Sequence, residues 1–294
     1  MMKIALKTLR RLIEIFQKDD HPWRRISAAA IARSRLGELL KIKIRVQDHF
    51  ILLHPASLST LLWYDSNFRS EDSEFMRAVL RAGETCIDVG ANIGVTAIPA
   101  AITVGQGGRV IVFEPHPKTC RYLQENIALN GIKNIEVQRC ALGDTRGSTF
   151  FTNKSTDDMN QIIGASRDAI EVPIALLDDF AQDCEQIALL KIDVEGYEKF
   201  VIAGATELIK KVTHIYFEVD EKNFSGFGYN SRDLLQQLAA LGFSFWRRSG
   251  RGLVVSSIDI DSFMPTAAGY ENIIGTRNIQ DLLARTNWQR QDAP

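Results

Sequence analysis

The stretch from Thr85 to Gly94, T-C-I-D-V-G-A-N-I-G, constrains the fold more than any other part of this chain. A short apolar strand is predicted to end near Asp88, and a helix is predicted after a loop that contains Gly90 and Asn92. Glycine lets the backbone pass close to a ligand because it has no Cβ. Since open α/β sheets bind ligands at the carboxyl ends of their strands, the stretch predicts a ligand-binding turn in an α/β fold.

The spacing of this loop argues against two common glycine-loop ligands. Dinucleotide sites typically carry G-x-G-x-x-G, and P-loops carry two glycines that frame four residues before Lys and Ser or Thr. Here an acid precedes the loop, and the loop offers no Lys or Arg to meet a phosphate. A ligand with a positive group, such as the sulfonium nucleoside S-adenosylmethionine, fits this arrangement better than an anion. A plain tight turn between a buried strand and a helix is the alternative interpretation.

A second acid lies at the end of the next predicted strand, R-V-I-V-F at 109–113. Glu114 follows it, 20 residues beyond Gly94, which is about the offset at which an acid reaches the ribose hydroxyls in nucleoside-binding α/β units. The alternating residues 135–141 predict a third strand, and its end at Ala141 and Leu142 is expected to border the adenine. Two matched acids at strand ends favour a nucleoside site over a plain turn.

A third group of charged residues follows the apolar strand predicted at 187–193. Because side chains alternate along a strand, Lys191, Asp193 and, if the extended conformation continues, Glu195 project to one side. A later predicted strand ends in Glu218. We expect Asp193 and Glu195, with Glu218 as third candidate and Lys191 as an orienting group, to act as general base or as ligands of a hard cation such as Mg²⁺. A salt-bridged cluster that only holds the loop is the alternative.

The order of the predicted helices and strands divides the chain into three parts. Residues 1–69 are a helical and mixed extension, residues 70–256 are the nucleoside-binding domain, and residues 257–294 are a C-terminal extension. Residues 1–18 have the spacing of a basic amphipathic helix, which either packs on the domain or makes a peripheral contact with an anionic membrane surface. The polar insertion at 153–168 predicts a mobile loop near the site.

Composition gives expectations about partners and compartment. The net charge is −1, which gives no indication of nucleic-acid binding. The four cysteines lack C-x-x-C spacing and are expected to be reduced, and the N-terminal residues lack the apolar core of a signal peptide. We therefore expect a cytoplasmic protein that acts on a small molecule or glycan, and the sequence does not predict its oligomeric state.

Six runs of sequence together resemble one known family. They are I-D-V-G-A-N-I-G (87–94), F-E-P-H-P (113–117), A-L-G-D (141–144), L-L-D-D-F (176–180), L-L-K-I-D-V-E-G-Y-E (189–198) and F-E (217–218). Over about residues 70–220 the chain is similar to the FkbM family of S-adenosylmethionine-dependent methyltransferases. One departure is His116, where a small polar residue is expected, so contacts near the ribose are in doubt.

The resemblance implies a Rossmann-like class I methyltransferase fold, with a seven-stranded, mostly parallel sheet whose final hairpin, at 243–246 and 253–256, is antiparallel. It also implies O-methylation of a hydroxyl group on a sugar, a polyketide or a related small molecule. The expected cofactor contacts are Asp88, Gly90, Asn92 and Gly94 for the methionine end, Glu114 for the ribose and Ala141 for the adenine edge. A non-catalytic nucleoside-binding or scaffold protein with this fold is the rival, while a nicotinamide-dependent oxidoreductase is disfavoured by the glycine spacing.

Overall fold

The computed structural model describes residues 40–154, 160–249, 254–266 and 269–291. The chain divides into two compact units, residues 1–68 and residues 69–294. The helix predicted at residues 1–18, with its proposed membrane contact, lies outside the described residues. None of the helices in the described ranges combines the length and the apolarity that crossing a membrane requires.

The described part of the first unit contains a strand hairpin and a helix. Strand β1 (Lys43–Val46) pairs antiparallel with β2 (His49–Leu52), and helix α1 (Ser57–Tyr64) follows. Exposed and buried residues alternate along β1 because successive side chains of a strand point to opposite faces. Near the start of α1, the hydroxyl of Ser59 donates to the backbone carbonyl of His54 at 2.8 Å.

The second unit combines strands and helices in alternation along the chain. Its strands are β3 (Thr85–Val89), β4 (Arg109–Phe113), β5 (Ile135–Gln138), β6 (Ala141–Leu142), β7 (Gly147–Thr152), β8 (Ile162–Ile163), β9 (Ala169–Ala175), β10 (Ile187–Ile192), β11 (Val212–Asp220), β12 (Ser244–Ser249), β13 (Val254–Ser257), β14 (Tyr270–Thr276) and β15 (Gln289–Gln291). Its helices are α2 (Ser70–Val79), α3 (Ala97–Val104), α4 (Pro117–Leu129), α5 (Glu198–Ala203), α6 (Glu221–Gly226), α7 (Ser231–Ala240) and α8 (Ile279–Thr286).

The large sheet of this unit contains nine strands within the described residues, in the order β15-β13-β12-β14-β11-β10-β3-β4-β5. From β11 to β5 every neighbouring pair is parallel. The chain runs from β3 outward to β4 and β5 and returns to β10 on the other side of β3. The strand order therefore reverses between β3 and β10, and this switch point is where open α/β sheets bind ligands. The predicted Rossmann-like α/β fold is confirmed, but the sheet has nine strands within the described residues and not the predicted seven.

The sheet is buried on both faces, as is usual for parallel sheets covered by helices. Every residue of β10 is buried. Because side chains alternate, Leu189 packs into a cluster with Phe75 of α2, whereas Leu190 packs into a second cluster with Val201 of α5 and Leu234 of α7. The central strands are thus held between two helical layers.

The carboxyl-terminal part of the chain differs from the sequence prediction. Residues 257–294 are expected to be an extension, but within them Tyr270–Thr276 forms β14, which pairs antiparallel with β11 on one side and β12 on the other. The predicted hairpin exists as β12 and β13, but it does not pair directly with the parallel strands from β11 to β5. Strand β14 lies between β12 and β11 and is antiparallel to both. Its sequence, Y-E-N-I-I-G-T, carries a weak strand signal because glycine disfavours strands. Gly275 is needed there since a Cβ would lie 2.4 Å from Ile215.

A second, smaller sheet consists of four strands that follow β5 in the chain, in the order β6-β9-β7-β8. Its buried side chains, which include Ala141, Phe151 and Ile162, form an apolar cluster of their own. The insertion at 153–168 is predicted as a mobile loop, but Ile162 and Ile163 within it form β8 and pair with β7. Residues 155–159 of the insertion lie outside the described residues.

The four cysteines, all within the described ranges, are free thiols, as expected. Burial raises the pKa of Cys140 to about 11 and also raises the pKa of Cys86 and Cys120. Since the thiolate is the reactive form, these three side chains act as small apolar groups of the core.

Candidate functional site

A cavity open to solvent lies at the carboxyl ends of β3, β4 and β10. Gly90 and Asn92 from the loop after β3, Glu114 after β4 and Asp193 after β10 line it. The cavity therefore lies at the switch point of the sheet, where the sequence predicts a ligand.

Glu114 is held in the cavity wall by backbone donors of two loops. Its Oε2 accepts from the amide of Asn92 at 3.1 Å, and its Oε1 accepts from the amide of His116 at 2.9 Å. The side chain is only 6% exposed. Each carboxylate oxygen has a second lone pair, so a carboxylate fixed in this way is prearranged to accept further hydrogen bonds from ligand hydroxyls.

His116 has a structural explanation. Its Nδ1 accepts from the backbone amide of Thr119 at 3.4 Å, which makes it the N-cap of α4. Its Nε2 lies 3.1 Å from Oδ1 of Asn153, just after β7. The histidine thus joins the loop of Glu114 to the smaller sheet, which accounts for the departure seen in the sequence.

The two glycines of the first loop have different roles. Gly90 has φ +82°, and a Cβ there would lie 1.9 Å from the backbone oxygen of Asp193. Only glycine allows the loops after β3 and β10 to approach this closely. Gly94 does not line the cavity, and a Cβ there would lie 2.8 Å from Leu123 of α4 and 3.2 Å from Ile98 of α3. Of the two, Gly90 is the one placed to contact a ligand.

Asp88 lies below the cavity, which differs from the prediction that it contacts the ligand. Its side chain is fully buried, with Oδ1 3.1 Å from Nζ of Lys191 and Oδ2 accepting from the hydroxyl of Thr96 at 2.6 Å. Lys191 also lies 3.6 Å from Oδ2 of Asp193. Burial favours the neutral amine, but the carboxylates of Asp88 and Asp193 raise the pKa of Lys191, which is therefore a buried cation.

Asp193 and Glu195 line the other side of the cavity, and Glu218 lies next to them. One carboxylate oxygen of each lies within 4.8 Å of the others, so the structure brings together the three acids that the sequence singles out. Glu195 reaches the cluster through a left-handed backbone conformation, φ +56°, and not through continued strand alternation. Its Oε2 accepts from Nδ2 of Asn223 at 2.9 Å.

The pKa shifts in this cluster have opposite directions. Burial alone raises the pKa of Asp193, but the charges of Lys191 and Arg69 outweigh burial and lower it. Burial first, and then the charges of Asp193 and Glu195, raise the pKa of Glu218 to about 9. Asp193 is therefore ionised and paired, whereas Glu218 holds its proton at neutral pH.

Arg69 is a site residue that the sequence does not reveal. It precedes α2 with φ +57°, lines the cavity and donates from Nη1 to Oδ2 of Asp193 at 3.0 Å. The two residues are separated by 124 positions, and no local pattern links them. Arg69 and Lys191 together fix the carboxylate of Asp193 between two cations.

Glu198 is a second residue to which the sequence assigns no role. It is 1% exposed, and its Oε1 accepts from the amide of Val194 at 3.0 Å. The hydroxyl of Tyr229 donates to the carbonyl of Gly196 at 2.8 Å and lies 3.4 Å from Oε2 of Glu198. These bonds hold the turn that carries Glu195.

Replacing Glu198 by glutamine is expected to change how stability depends on pH. Burial raises the pKa of Glu198 from 4.5 to about 8. The folded state therefore binds this proton more tightly than the unfolded chain, so the contribution is complete below pH 4.5 and is lost as the pH rises toward 8. Between these values the free energy of unfolding should fall less steeply in Glu198→Gln than in the wild type, by up to about 1.4 kcal/mol per pH unit.

Denaturant unfolding at a series of pH values measures this difference. The exposed Glu74 of α2 provides the matched control, Glu74→Gln, whose pH curve should follow the wild type. If the free energy of unfolding falls equally steeply with pH in Glu198→Gln and in the wild type, Glu198 does not have a raised pKa in the folded protein.

The far end of the cavity is apolar. Ala141 and Leu142 of β6 line it, together with Phe151 and Ile162 of the smaller sheet and Tyr197. The ring of Tyr197 stacks on that of Phe200 with centroids 4.5 Å apart, which fixes this wall. Flat apolar walls of this kind suit a planar aromatic base. The contact of Ala141 with the adenine edge stays a prediction.

The parallel order from β11 to β5, with the antiparallel β14 inserted beside β11, and the acids at one cavity define a class I methyltransferase fold. Residues 88–245 match the family description "Methyltransferase FkbM domain". The chain belongs to the FkbM methyltransferase family. Within the matched range lie Asp88, Glu114 and Asp193.

Two curated relatives are similar over part of their length. The chain is 28% identical over 142 residues to "Methyltransferase 1" of Beauveria bassiana, covering 40% of this chain and 57% of that protein. It is 28% identical over 158 residues to "Methyltransferase sdnD" of Sordaria araneosa, covering 41% of this chain and 60% of that protein. The chain thus spans less than two thirds of the length of either relative.

Solved structures with similar folds include a putative rRNA methylase from Clostridium thermocellum, with TM-score 0.45 and 11% identity over 70% of this chain and 93% of that chain. A SAM-dependent O-methyltransferase from Thermotoga maritima has TM-score 0.40 and 14% identity over 70% of this chain and 64% of that chain.

Proposed function

We propose that this protein is an S-adenosylmethionine-dependent methyltransferase that methylates a hydroxyl oxygen of a sugar, a polyketide or a related small molecule. The observation that carries the proposal is that Glu114 and Asp193 follow β4 and β10, the parallel strands on either side of β3, and open onto one cavity beside the Gly90 loop. Membership of the FkbM family supports the same reaction class.

The residues present fit this cofactor. The carboxylate of Glu114 would accept hydrogen bonds from the ribose hydroxyls, the backbone at Gly90 and Asn92 would hold the methionine end, and the apolar wall at Ala141 would hold the adenine. When bound, the cofactor supplies an electrophilic methyl group. Most of the protein's contribution is to hold the acceptor oxygen in line with that group, an effect worth up to roughly 7–11 kcal/mol.

A hydroxyl acceptor must also lose its proton, and the cluster offers three carboxylates for this step. Asp193 is the first candidate from the sequence, but its contacts with Arg69 and Lys191 and its lowered pKa make it a weak base. Glu195 accepts a hydrogen bond from Asn223. Glu218, with a pKa raised to about 9, is the strongest base of the three once it is ionised. Positive charge in the cavity favours that ionised form.

We therefore propose Glu218 as the general base, with Asp193 as a fixed anion that Arg69 and Lys191 position. Binding of a hard cation by the same carboxylates is the alternative left open by the sequence. The charges around Asp193 favour the general-base role over cation binding, because Lys191 and Arg69 already neutralise the carboxylate of Asp193.

Isothermal titration with S-adenosylmethionine and S-adenosylhomocysteine tests the cofactor assignment. We expect the wild type to bind both, and Glu114→Gln to bind about 10–100-fold more weakly, because hydrogen bonds to a charged group contribute about 1.5–3 kcal/mol. The exposed Glu185, which lies before β10 and outside this cavity, provides the control Glu185→Gln. Thermal melting of each variant separates lost binding from lost folding.

The rival, a non-catalytic nucleoside-binding or scaffold protein, predicts binding without turnover. Incubation with S-adenosylmethionine and a panel of sugars and lipid-linked glycans, followed by mass spectrometry, distinguishes the two by the gain of a methyl group on an acceptor. A folded wild type that binds neither S-adenosylmethionine nor S-adenosylhomocysteine would contradict the proposed function itself.

A further inference from the structure

Asn160 has a buried side chain in the cavity wall. Neither the fold nor the proposed cofactor binding and proton removal gives this side chain a role. It is 8% exposed and lines the apolar end of the cavity, just before β8. Its Oδ1 accepts from the hydroxyl of Thr152 at 2.8 Å and from the backbone amide of Lys154 at 2.9 Å. Asn160 is therefore fixed on its oxygen side by two donors.

These bonds settle which end of the carboxamide is which. A backbone amide can only donate, so the atom that faces Lys154 must be the oxygen of Asn160. The hydroxyl of Thr152 accepts from the amide of Gln161 at 2.9 Å, which leaves its proton for Oδ1 of Asn160. The amide nitrogen, Nδ2, consequently points away from both partners.

Nδ2 is buried and has no hydrogen-bond partner among the described residues. A buried donor without an acceptor destabilises the protein by about 1–3 kcal/mol unless something else accepts its hydrogen bond. The neighbours Ala141, Phe151 and Ile162 at this end of the cavity are apolar, and none of the described groups, the hydroxyl of Tyr197 included, accepts from Nδ2. A ligand that enters here must therefore bring an acceptor atom on an otherwise apolar, flat surface.

We propose that Nδ2 of Asn160 donates a hydrogen bond to a ring nitrogen of the cofactor's adenine, and that Asn160 thereby selects the base. This inference rests on the proposed function, since the base is that of S-adenosylmethionine. The ring nitrogens of adenine are acceptors on a planar, apolar body, which is the combination that this end of the cavity requires. Thr152 acts as the positioning residue for Asn160.

The variant Asn160→Asp tests the donor directly. Aspartate keeps the acceptor for Thr152 and Lys154 and so preserves the local fold, but it places an oxygen where Nδ2 was. We expect the affinity for S-adenosylhomocysteine, measured by isothermal titration, to fall about tenfold. Thermal melting of the free variant measures the cost of the buried carboxylate and shows that the protein titrated is folded.

Analogues of S-adenosylhomocysteine in which one adenine ring nitrogen is replaced by a CH group identify the bond. One of them should bind the wild type about tenfold more weakly than the parent compound, whereas Asn160→Asp should show no further loss with that analogue. If each analogue binds more weakly than the parent compound by the same factor in Asn160→Asp as in the wild type, Asn160 does not contact the adenine.

Asn134→Asp provides the matched control, because Asn134 also has a partly buried carboxamide but donates to the carbonyls of Ala101 and Gly105 outside the cavity. This control should bind S-adenosylhomocysteine as the wild type does. This inference alone would be overturned by one pattern: S-adenosylhomocysteine binds the wild type, binds Glu114→Gln much more weakly and binds Asn160→Asp as tightly as the wild type. No binding to the wild type would instead overturn the proposed function.

Discussion

Replacing Lys191 by methionine is expected to lower the free energy of unfolding by about 3–5 kcal/mol, because a buried carboxylate that loses its partner stays uncompensated. Asp88 is fully buried, and its Oδ1 lies 3.1 Å from Nζ of Lys191 on the neighbouring strand β10. Methionine fills a similar volume, so the loss should come from the charge and not from a cavity. Denaturant unfolding at neutral pH measures it.

A double variant separates the charge effect from packing. Removing both members of a buried ion pair costs less than removing one, so Lys191→Met combined with Asp88→Leu should recover a large part of the stability that Lys191→Met loses. The exposed Lys133→Met serves as the control and should unfold like the wild type. A loss below about 1 kcal/mol in Lys191→Met, or simple additivity in the double variant, would contradict the role of Lys191 as the counterion of Asp88.

Replacing Glu218 by glutamine is expected to lower the turnover number about 10²–10⁴-fold, the usual contribution of a positioned general base. The affinity for S-adenosylhomocysteine should change little, because Glu218 lies with the acid cluster and not with Glu114 and the Gly90 loop, which are proposed to hold the cofactor. Steady-state methyl transfer to the acceptor found in the screen, together with isothermal titration, separates the two quantities. Glu195→Gln is the matched comparison and should retain most of the activity.

The pH dependence gives this prediction a second readout. Glu218 acts as a base only when ionised, and its pKa is raised to about 9, so wild-type turnover should rise with pH toward that value. Glu218→Gln should lose this rise. Chelator should leave wild-type rates unchanged. A loss of activity with chelator that Mg²⁺ restores would instead assign the carboxylates to a metal, and full activity of Glu218→Gln would exclude it as the base.

Local sequence patterns predict the positions that follow strand ends. Glu114 and Asp193 can be placed at one edge of the sheet because strand alternation and motif spacing are short-range properties. The third strand, predicted to reach Ala141, ends at Gln138, and Ala141 lies in β6 of the smaller sheet. The same patterns give no information about how a side chain pairs in three dimensions. For this reason the sequence predicts Asp88 as a ligand contact, whereas the structure shows it bound to Lys191 and Thr96.

Two further residues show why the rest of the site cannot be predicted. Arg69 reaches Asp193 across 124 positions, and a single sequence carries no signal for such a contact. Asn160 lies in a polar stretch that favours a loop, and its role depends on Thr152 and Lys154 fixing the orientation of its amide. Likewise, β14 escapes prediction because Gly275 weakens its strand pattern.

The place of β14 between β11 and β12 has a consequence for biosynthesis. A ribosome releases this strand after both of its neighbours, so the nascent sheet must keep a gap between them until residues 270–276 emerge. Until then β11 exposes unpaired backbone groups, a state that invites association with other chains. The gap between β11 and β12 is therefore closed only after both strands have been made, and a truncation that removes residues 270–276 would open the sheet between them.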